Sequence, residues 1–311
     1  MRDSGCKNDS PRQTLSEAFF TTEAQRHREK AREPWRLASA PPRLRGKCTF
    51  QVLSRFRTLI TALAPALLSA QTAAPPAPAI RPAPPGYTFP DGERLVYQGE
   101  WRLFNAGTAT LEISPAGGQQ HVHGVADSSG AIALLYRVSD RFDSWFDSQS
   151  LCSSRILKHT EEGRHRRDTQ ISFDYEKGQA VLEETNLSNN EHKRVENAIP
   201  GCVTDVISAV FYGGTLPLAA GDEYSFPLND GNKTVNVMVH VEGREDIKTP
   251  AGAYHTVRVR PEASAGPLRQ KGKIWVWYTD DAQHTPVQIR ARMFWGNLTL
   301  SLLRSEHISP Q

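Results

Sequence analysis

Between residues 235 and 241 every second residue is valine: Val235, Val237, Val239 and Val241 alternate with Asn236, Met238, His240 and Glu242. Side chains on a strand alternate between faces, so this run has one buried and one more polar face, as in an antiparallel sheet packed on one side. The same alternation recurs in short runs from Leu95 onward. Leu95, Tyr97, Trp101 and Leu103 form a first strand, Asn105-Ala-Gly107 a turn, and residues 108–113 a second strand. Further strands are predicted at 119–126, 131–138, 154–160, 168–174, 179–185, 233–242, 253–261, 272–279, 285–294 and 297–304. Asn229-Asp-Gly231 and Gly296-Asn297 supply turn chemistry beside such runs. The clearest helix is 204–212, with Thr204 as N-cap, Asp205 in the first turn, Val206, Ile207, Val210 and Phe211 as its apolar stripe, and Gly213-Gly214 as its end. The fold class is therefore mainly β: a curved antiparallel sheet, sandwich or partly open β-barrel with one short packed helix.

The N-terminal part has a different character. Ser54-Arg55-Phe56-Arg57 followed by Thr58–Ala70 has the basic and apolar order of a secretory signal, ending in small residues. The apolar run is shorter than the roughly 20 residues of a membrane-spanning helix and is interrupted by Pro65. The expected division is a leader at 1–50 that is not part of the native product, with translation starting near Val52 or Leu53. A signal peptide at 51–70, an Ala/Pro-rich linker at 71–86 and a single β-rich domain at 87–306 follow. The formal net charge of +3 belongs to the leader: residues 1–70 hold 13 Lys and Arg against 6 Asp and Glu, leaving 24 against 28 after Ala70. No basic stripe remains to recognise nucleic acid. The localisation this implies is exported, periplasmic or associated with the outer envelope, without an integral membrane span after signal cleavage.

Two of the four cysteines, Cys152 and Cys202, lie beyond the signal, in a compartment where disulfides persist, and are expected to pair. His121 and His123 share one strand face, but no third metal ligand can be named beside them. No nucleophile elbow, phosphate-binding loop, dinucleotide fingerprint or zinc-protease helix occurs, so no catalytic residue, metal or cofactor is assigned. The densest candidate cluster is Trp275, Trp277, Asp280 and Asp281. The two tryptophans share a strand face and offer a platform for a sugar or a lipid, or pack as core. The two acids close the strand as turn caps, or serve with Asp140, Asp143, Glu162 and Asp205 as the paired carboxylates of a carbohydrate-active enzyme.

Several of these elements occur together in a recognisable order: Gly92-Glu-Arg-Leu-Val-Tyr97 to Ala106-Gly107, Tyr136 to Asp140, Glu162-Gly163, Thr204-Asp205-Val206, Thr249-Pro-Ala-Gly252, and Val276-Trp277 to Asp281 with Pro286. In this the chain resembles the bacterial domain-of-unknown-function family 3108 over about residues 89–305. The resemblance implies an exported, predominantly β domain of bacterial envelopes and carries over no catalytic residue. The leading expectation is a non-enzymatic binding or envelope-assembly protein for an apolar or amphiphilic ligand, with a lipid, glycan or other envelope component as partner. The alternatives are a structural or interaction module without ligand, and the carbohydrate-active enzyme. A lined void in the fold favours the first.

Overall fold

The computed structural model describes residues 78–264, 272–293 and 296–308. The leader, the signal segment and the first part of the Ala/Pro linker lie outside the described residues. Fourteen strands form one continuous antiparallel sheet. Strands β1 (Glu93–Trp101), β2 (Phe104–Ala116), β3 (Gln119–Ser128), β4 (Val138–Asp147), β5 (Ser153–Glu162), β6 (His165–Asp174), β7 (Gln179–Asn186) and β8 (Glu191–Ala198) run as a meander. A second meander comprises β9 (Glu223–Asn229), β10 (Thr234–Thr249), β11 (Gly252–Ala263), β12 (Gly272–Thr279), β13 (Pro286–Met293) and β14 (Gly296–His307). The two are joined by pairing of β1 with β14, Leu95 opposite Ser305 and Gly99 opposite Leu300, which leaves β8 and β9 as the edges.

The sheet curls without closing. The β9–β10 turn reaches the concave side of β6 and β7, where a Cβ on Gly231 would come within 2.7 Å of Ile171 and Leu182. Asn229 Nδ2 donates to Asn197 Oδ1 at 2.7 Å, and Asn197 Nδ2 to the Gly231 carbonyl at 2.9 Å, so side chains bridge the open seam. Edge strand β8 is exposed and rich in charge, which blunts it against pairing with another chain. The segment leading out of β8 crosses the concave side. Ser153 donates its N–H to Val203, and Thr204 and Asn229 exchange backbone bonds with β9 and with this segment. A disulfide between Cys152 and Cys202, Cα atoms 5.1 Å apart, ties this crossing to the start of β5.

Helix α1 spans Gly130–Leu135 and α2 spans Ser208–Thr215. The expected strand at 131–138 is thus α1 followed by the start of β4; a short apolar run does not distinguish helix from strand by periodicity. The expected turn at Asn105–Gly107 lies inside β2, and the hairpin turns at Arg102–Leu103 instead. Gly107 sits at a bulge with φ +145°, where a Cβ would fall 2.0 Å from the Asp127 carbonyl oxygen. The helix expected at 204–212 begins later, because Thr204 is held in a bridge with Leu228 and Asp205 supplies the cap. Gly213 and Gly214 belong to its last turn and permit close approach rather than termination: a Cβ on Gly213 would meet the Tyr278 hydroxyl at 2.4 Å.

The main core lies between the concave face and α2, with Ile80, Ala83 and Phe89 of the N-terminal segment packed against it. A smaller cluster of Leu95, Tyr97, Trp277, Val287 and Leu302 receives Ile247 and Tyr254 from an arm formed by the ends of β10 and β11. The arm departs at a bulge by Gly243, and its Thr249-Pro-Ala-Gly252 tip donates the Ala251 N–H to the Leu302 carbonyl at 3.0 Å.

Candidate functional site

Strands β2 and β3 present unusually small residues where they face α2. Across this pair Gly107 is opposite Ser128, Ala109 opposite Ala126 and Leu111 opposite Gly124, while Gly99 of β1 is opposite Gly107. Side chains of this size cannot reach Ala209 and Val210 of the helix. A cavity of about 270 Å³ remains between them, walled by Leu111, Phe142, Val239, Ile274 and Leu300. Leu111, Ile274, Leu300 and Val210 all retain partial exposure, although close packing would bury side chains of this kind. The volume falls between the roughly 150 Å³ void that binds benzene and the several hundred Å³ of sites for drug-sized ligands.

One carboxyl group enters this apolar wall. In β4 the inward positions are Val138, Asp140, Phe142, Ser144 and Phe146, and Asp140 is 2% exposed. Its Oδ1 accepts the Glu161 N–H at 3.0 Å. Burial first, and then the nearby Glu162 carboxylate, push its pKa up to about 8 against the opposing effects of that hydrogen bond and of Arg141. At pH 7 the neutral acid therefore predominates at Asp140. At the rim, Asp127 accepts from Ser139 Oγ at 2.8 Å and from Arg141 Nη1 at 3.2 Å.

The other buried polar groups near the cavity are occupied. Asp205 is fully buried and takes four donors: Ser144 Oγ at 2.8 Å and Ser153 Oγ at 2.6 Å on Oδ2, and the N–H groups of Ile207 and Ser208 at 2.8 and 3.0 Å on Oδ1. This joins β4, β5 and the first turn of α2. Tyr278 donates its hydroxyl to the Val210 carbonyl at 2.6 Å, and Tyr97 donates to that of Pro286 at 2.7 Å. On β5, Lys158 lies opposite Phe142 and Thr169; burial lowers its pKa, opposed by the charges of Asp230, Asp205 and Glu184. Around Lys158 the concave face turns polar, with Thr169 and Glu184 in line on β6 and β7, whereas Ile156, Ile171 and Leu182 on the same three strands belong to the apolar core.

The residues singled out in the sequence lie elsewhere. The cavity takes Ile274, Val276 and Tyr278 from β12, so Trp275 and Trp277 project from the opposite face. Trp277 is 4% exposed, donates Nε1–H to Glu245 Oε1 at 2.7 Å and carries the Arg290 guanidinium over its ring. Asp280 accepts from Arg244 Nε at 2.7 Å, and Asp281 Oδ1 caps the following turn through Thr279 Oγ1, the Gln283 N–H and the His284 N–H. Of the candidate carboxylates, Asp140 and Glu162 come together, whereas Asp143 faces the other side of β4. There its Oδ1 lies 2.8 Å from His121 Nε2 and 2.9 Å from His123 Nδ1, and the His121 ring stacks on Trp145. Among the described residues no group of three His, Cys, Asp or Glu side chains is arranged to hold a metal ion, and no helix is long and apolar enough to cross a membrane. The cavity wall itself was not picked out in the sequence; its only signal is small residues at the inward positions of β2 and β3.

Residues 96–303 match the family described as Protein of unknown function (DUF3108). The chain belongs to this family. The match runs from β1 to β14, so the DUF3108 domain includes the whole wall of the cavity, Asp140 and the α2 crossing. No curated protein matches the chain. Among solved structures, the DUF3108 domain is similar to a β-barrel-like protein of domain of unknown function DUF1849 from Brucella abortus, with 9% identity, a TM-score of 0.48, and coverage of 72% of this chain and 100% of that one. It is also similar to a protein with a YmcC-like fold from Bacteroides fragilis, with 10% identity, a TM-score of 0.33, and coverage of 71% and 99%. A third is the hypothetical protein CT021 from Chlamydia trachomatis, with 9% identity, a TM-score of 0.33, and coverage of 72% and 91%.

Proposed function

We propose that this protein is an exported, periplasmic binding protein that holds an apolar or amphiphilic molecule between α2 and the concave face of its sheet. The observation that carries the reading is the cavity of about 270 Å³, walled by aliphatic side chains and entered by the single buried acid Asp140. A ligand with an acyl or similar chain would bury its apolar part against Leu111, Ile274 and Leu300. An oxygen at its polar end would accept the Asp140 proton. Export is supported by the signal-like order of residues 54–70 and by the Cys152–Cys202 disulfide, which needs an oxidising compartment to persist. Of the candidate carboxylates only Asp140 lines the cavity; its neighbour Glu162 does not, and Asp143, Asp205, Asp280 and Asp281 are engaged elsewhere, which favours binding over glycoside hydrolysis, a reaction that needs two carboxyl groups flanking one bond.

Native mass spectrometry of protein recovered from the periplasm tests this. The expected result is a stoichiometric adduct, extractable into organic solvent, that is absent from an Ala126→Phe variant whose ring occupies the cavity. Parent protein that carries no adduct and takes up no 11-dansylaminoundecanoic acid, a fluorescent fatty acid, would refute the reading.

A further inference from the structure

In an antiparallel meander alternate turns lie at one end of the sheet. The β1–β2 turn and the β3–β4 connection with α1 are at the same end, and α1 lies beside the start of β2, where Ser129 donates its N–H to the Ala106 carbonyl at 3.0 Å. These two neighbouring tips carry Leu103, 94% exposed, Phe104, 64%, Leu134, 89%, and Leu135, 79%. The other exposed large apolar residues among those described, Tyr175, Leu187 and Met238, are single and only 36–39% exposed. Exposure as high as that of Leu103 and Leu134 means that the side chains project from the surface. Apolar side chains that project in this way can enter the boundary between headgroups and acyl chains of a bilayer.

Charge points to the same occupant. From Arg102 to Gly107 and from Gly130 to Arg137 there is no acidic residue, and each apolar pair is accompanied by one arginine, Arg102 or Arg137. Apolar side chains flanked by cations match the acyl boundary and anionic headgroups of a phospholipid surface. The cavity-lining residues Ala106, Gly107, Ser128 and Val138 are at the strand ends directly beside these tips.

We propose that the tips Arg102–Phe104 and Leu134–Arg137 dock this end of the protein on an anionic phospholipid bilayer, placing the opening of the cavity at the lipid surface. The docking deepens the ligand-binding reading, on which its purpose rests, because an amphiphile would then pass between bilayer and cavity without crossing water.

The test is hydrogen–deuterium exchange of the full, disulfide-bonded chain with and without vesicles of phosphatidylethanolamine and phosphatidylglycerol. Slowed exchange at residues 102–106 and 131–137 is expected. Leu103→Ser with Phe104→Ser, and separately Leu134→Ser with Leu135→Ser, should each weaken vesicle binding on the order of tenfold. Melting temperature and uptake of 11-dansylaminoundecanoic acid should be unchanged, since the side chains are exposed. Unaltered exchange at both tips in the presence of vesicles, or parental vesicle binding by both double variants, overturns the proposal. So does protection that arises only with a periplasmic protein extract. Probe uptake without vesicle binding defeats the docking and leaves the cavity reading intact. Tip protection in a protein that neither takes up the probe nor carries a native adduct supports the docking and defeats the cavity reading.

Discussion

Replacing Asp140 with asparagine should change the pH dependence of stability in a defined way. In the unfolded chain this carboxyl group loses its proton near its ordinary value of 3.8, whereas in the folded protein it keeps the proton up to about 8. Between these values the folded state binds more protons than the unfolded state, so stability falls as the pH rises and levels off above about 8. From pH 4 to pH 7 the loss assignable to this one group is on the order of 4 kcal/mol. Asparagine retains an oxygen for the Glu161 N–H and does not titrate, but it buries an amide with two donors where the neutral acid buries a single hydroxyl, a penalty of about 1–3 kcal/mol at any pH. Asp140→Asn should therefore be less stable than the parent at pH 4 and more stable at pH 7. Urea unfolding of both proteins across this range measures the difference, with two-state behaviour checked by two probes. Parallel stability curves for parent and variant would show that the Asp140 carboxyl is not held neutral by the cavity.

Other positions give equally direct tests. Ala126→Phe should raise the thermal midpoint by filling part of the void and abolish uptake of the dansylated fatty acid; unchanged uptake would place the binding site elsewhere. Trp277→Ala removes a nearly buried indole and one of the two donors to Glu245 Oε1, the other being Arg258, so a loss of about 3–5 kcal/mol is expected in denaturant titrations. Asp281→Asn keeps the acceptor oxygen of its turn and should cost less than about 1 kcal/mol in the same titrations. Asp205→Ala leaves two backbone N–H groups and two serine hydroxyls without their acceptor, and should destabilise by about 3 kcal/mol or more without changing ligand preference in the surviving folded fraction. Reducing the Cys152–Cys202 bridge, which spans 50 residues, should lower stability by about 4 kcal/mol in the chain-entropy account, read as a shift in the urea midpoint between reduced and oxidised protein.

The β character of the domain was legible in the sequence at most strands with one uniformly apolar face, although β9, with Tyr224, Phe226 and Leu228 inward, was not among the predicted strands. Val237, Val239 and Val241 are buried on β10 as their alternation requires, and both faces of β12 are covered, one by the cavity side of the core and one by the β10–β11 arm. Strand β8 escaped because its edge position leaves nearly every side chain in solvent, so no apolar period marks it. Strand β4 escaped for a more informative reason. Its inward positions alternate without error, but two of them are Asp140 and Ser144, and a pattern of apolar residues does not register polar ones in the core. The residues that conceal the strand are Asp140, which lines the cavity, and Ser144, which binds the Asp205 anchor of α2.

The sequence by itself determined the elements that depend on neighbours along the chain: most of the alternating strands, the Asp281 turn, and the two cysteines within the β-rich domain. Tertiary structure alone decided which carboxylate enters the cavity and where that cavity lies. Asp140 and Asp143 differ by three positions on one strand, so pleating sends one into a void and the other to a pair of histidines on the opposite face. The void itself exists because Gly99, Gly107, Ala109, Gly124 and Ala126 from three strands face Ala209 and Gly213 of a helix about a hundred residues further on. A missing side-chain volume is a property of the surfaces brought together, and no local pattern in any one of them contains it.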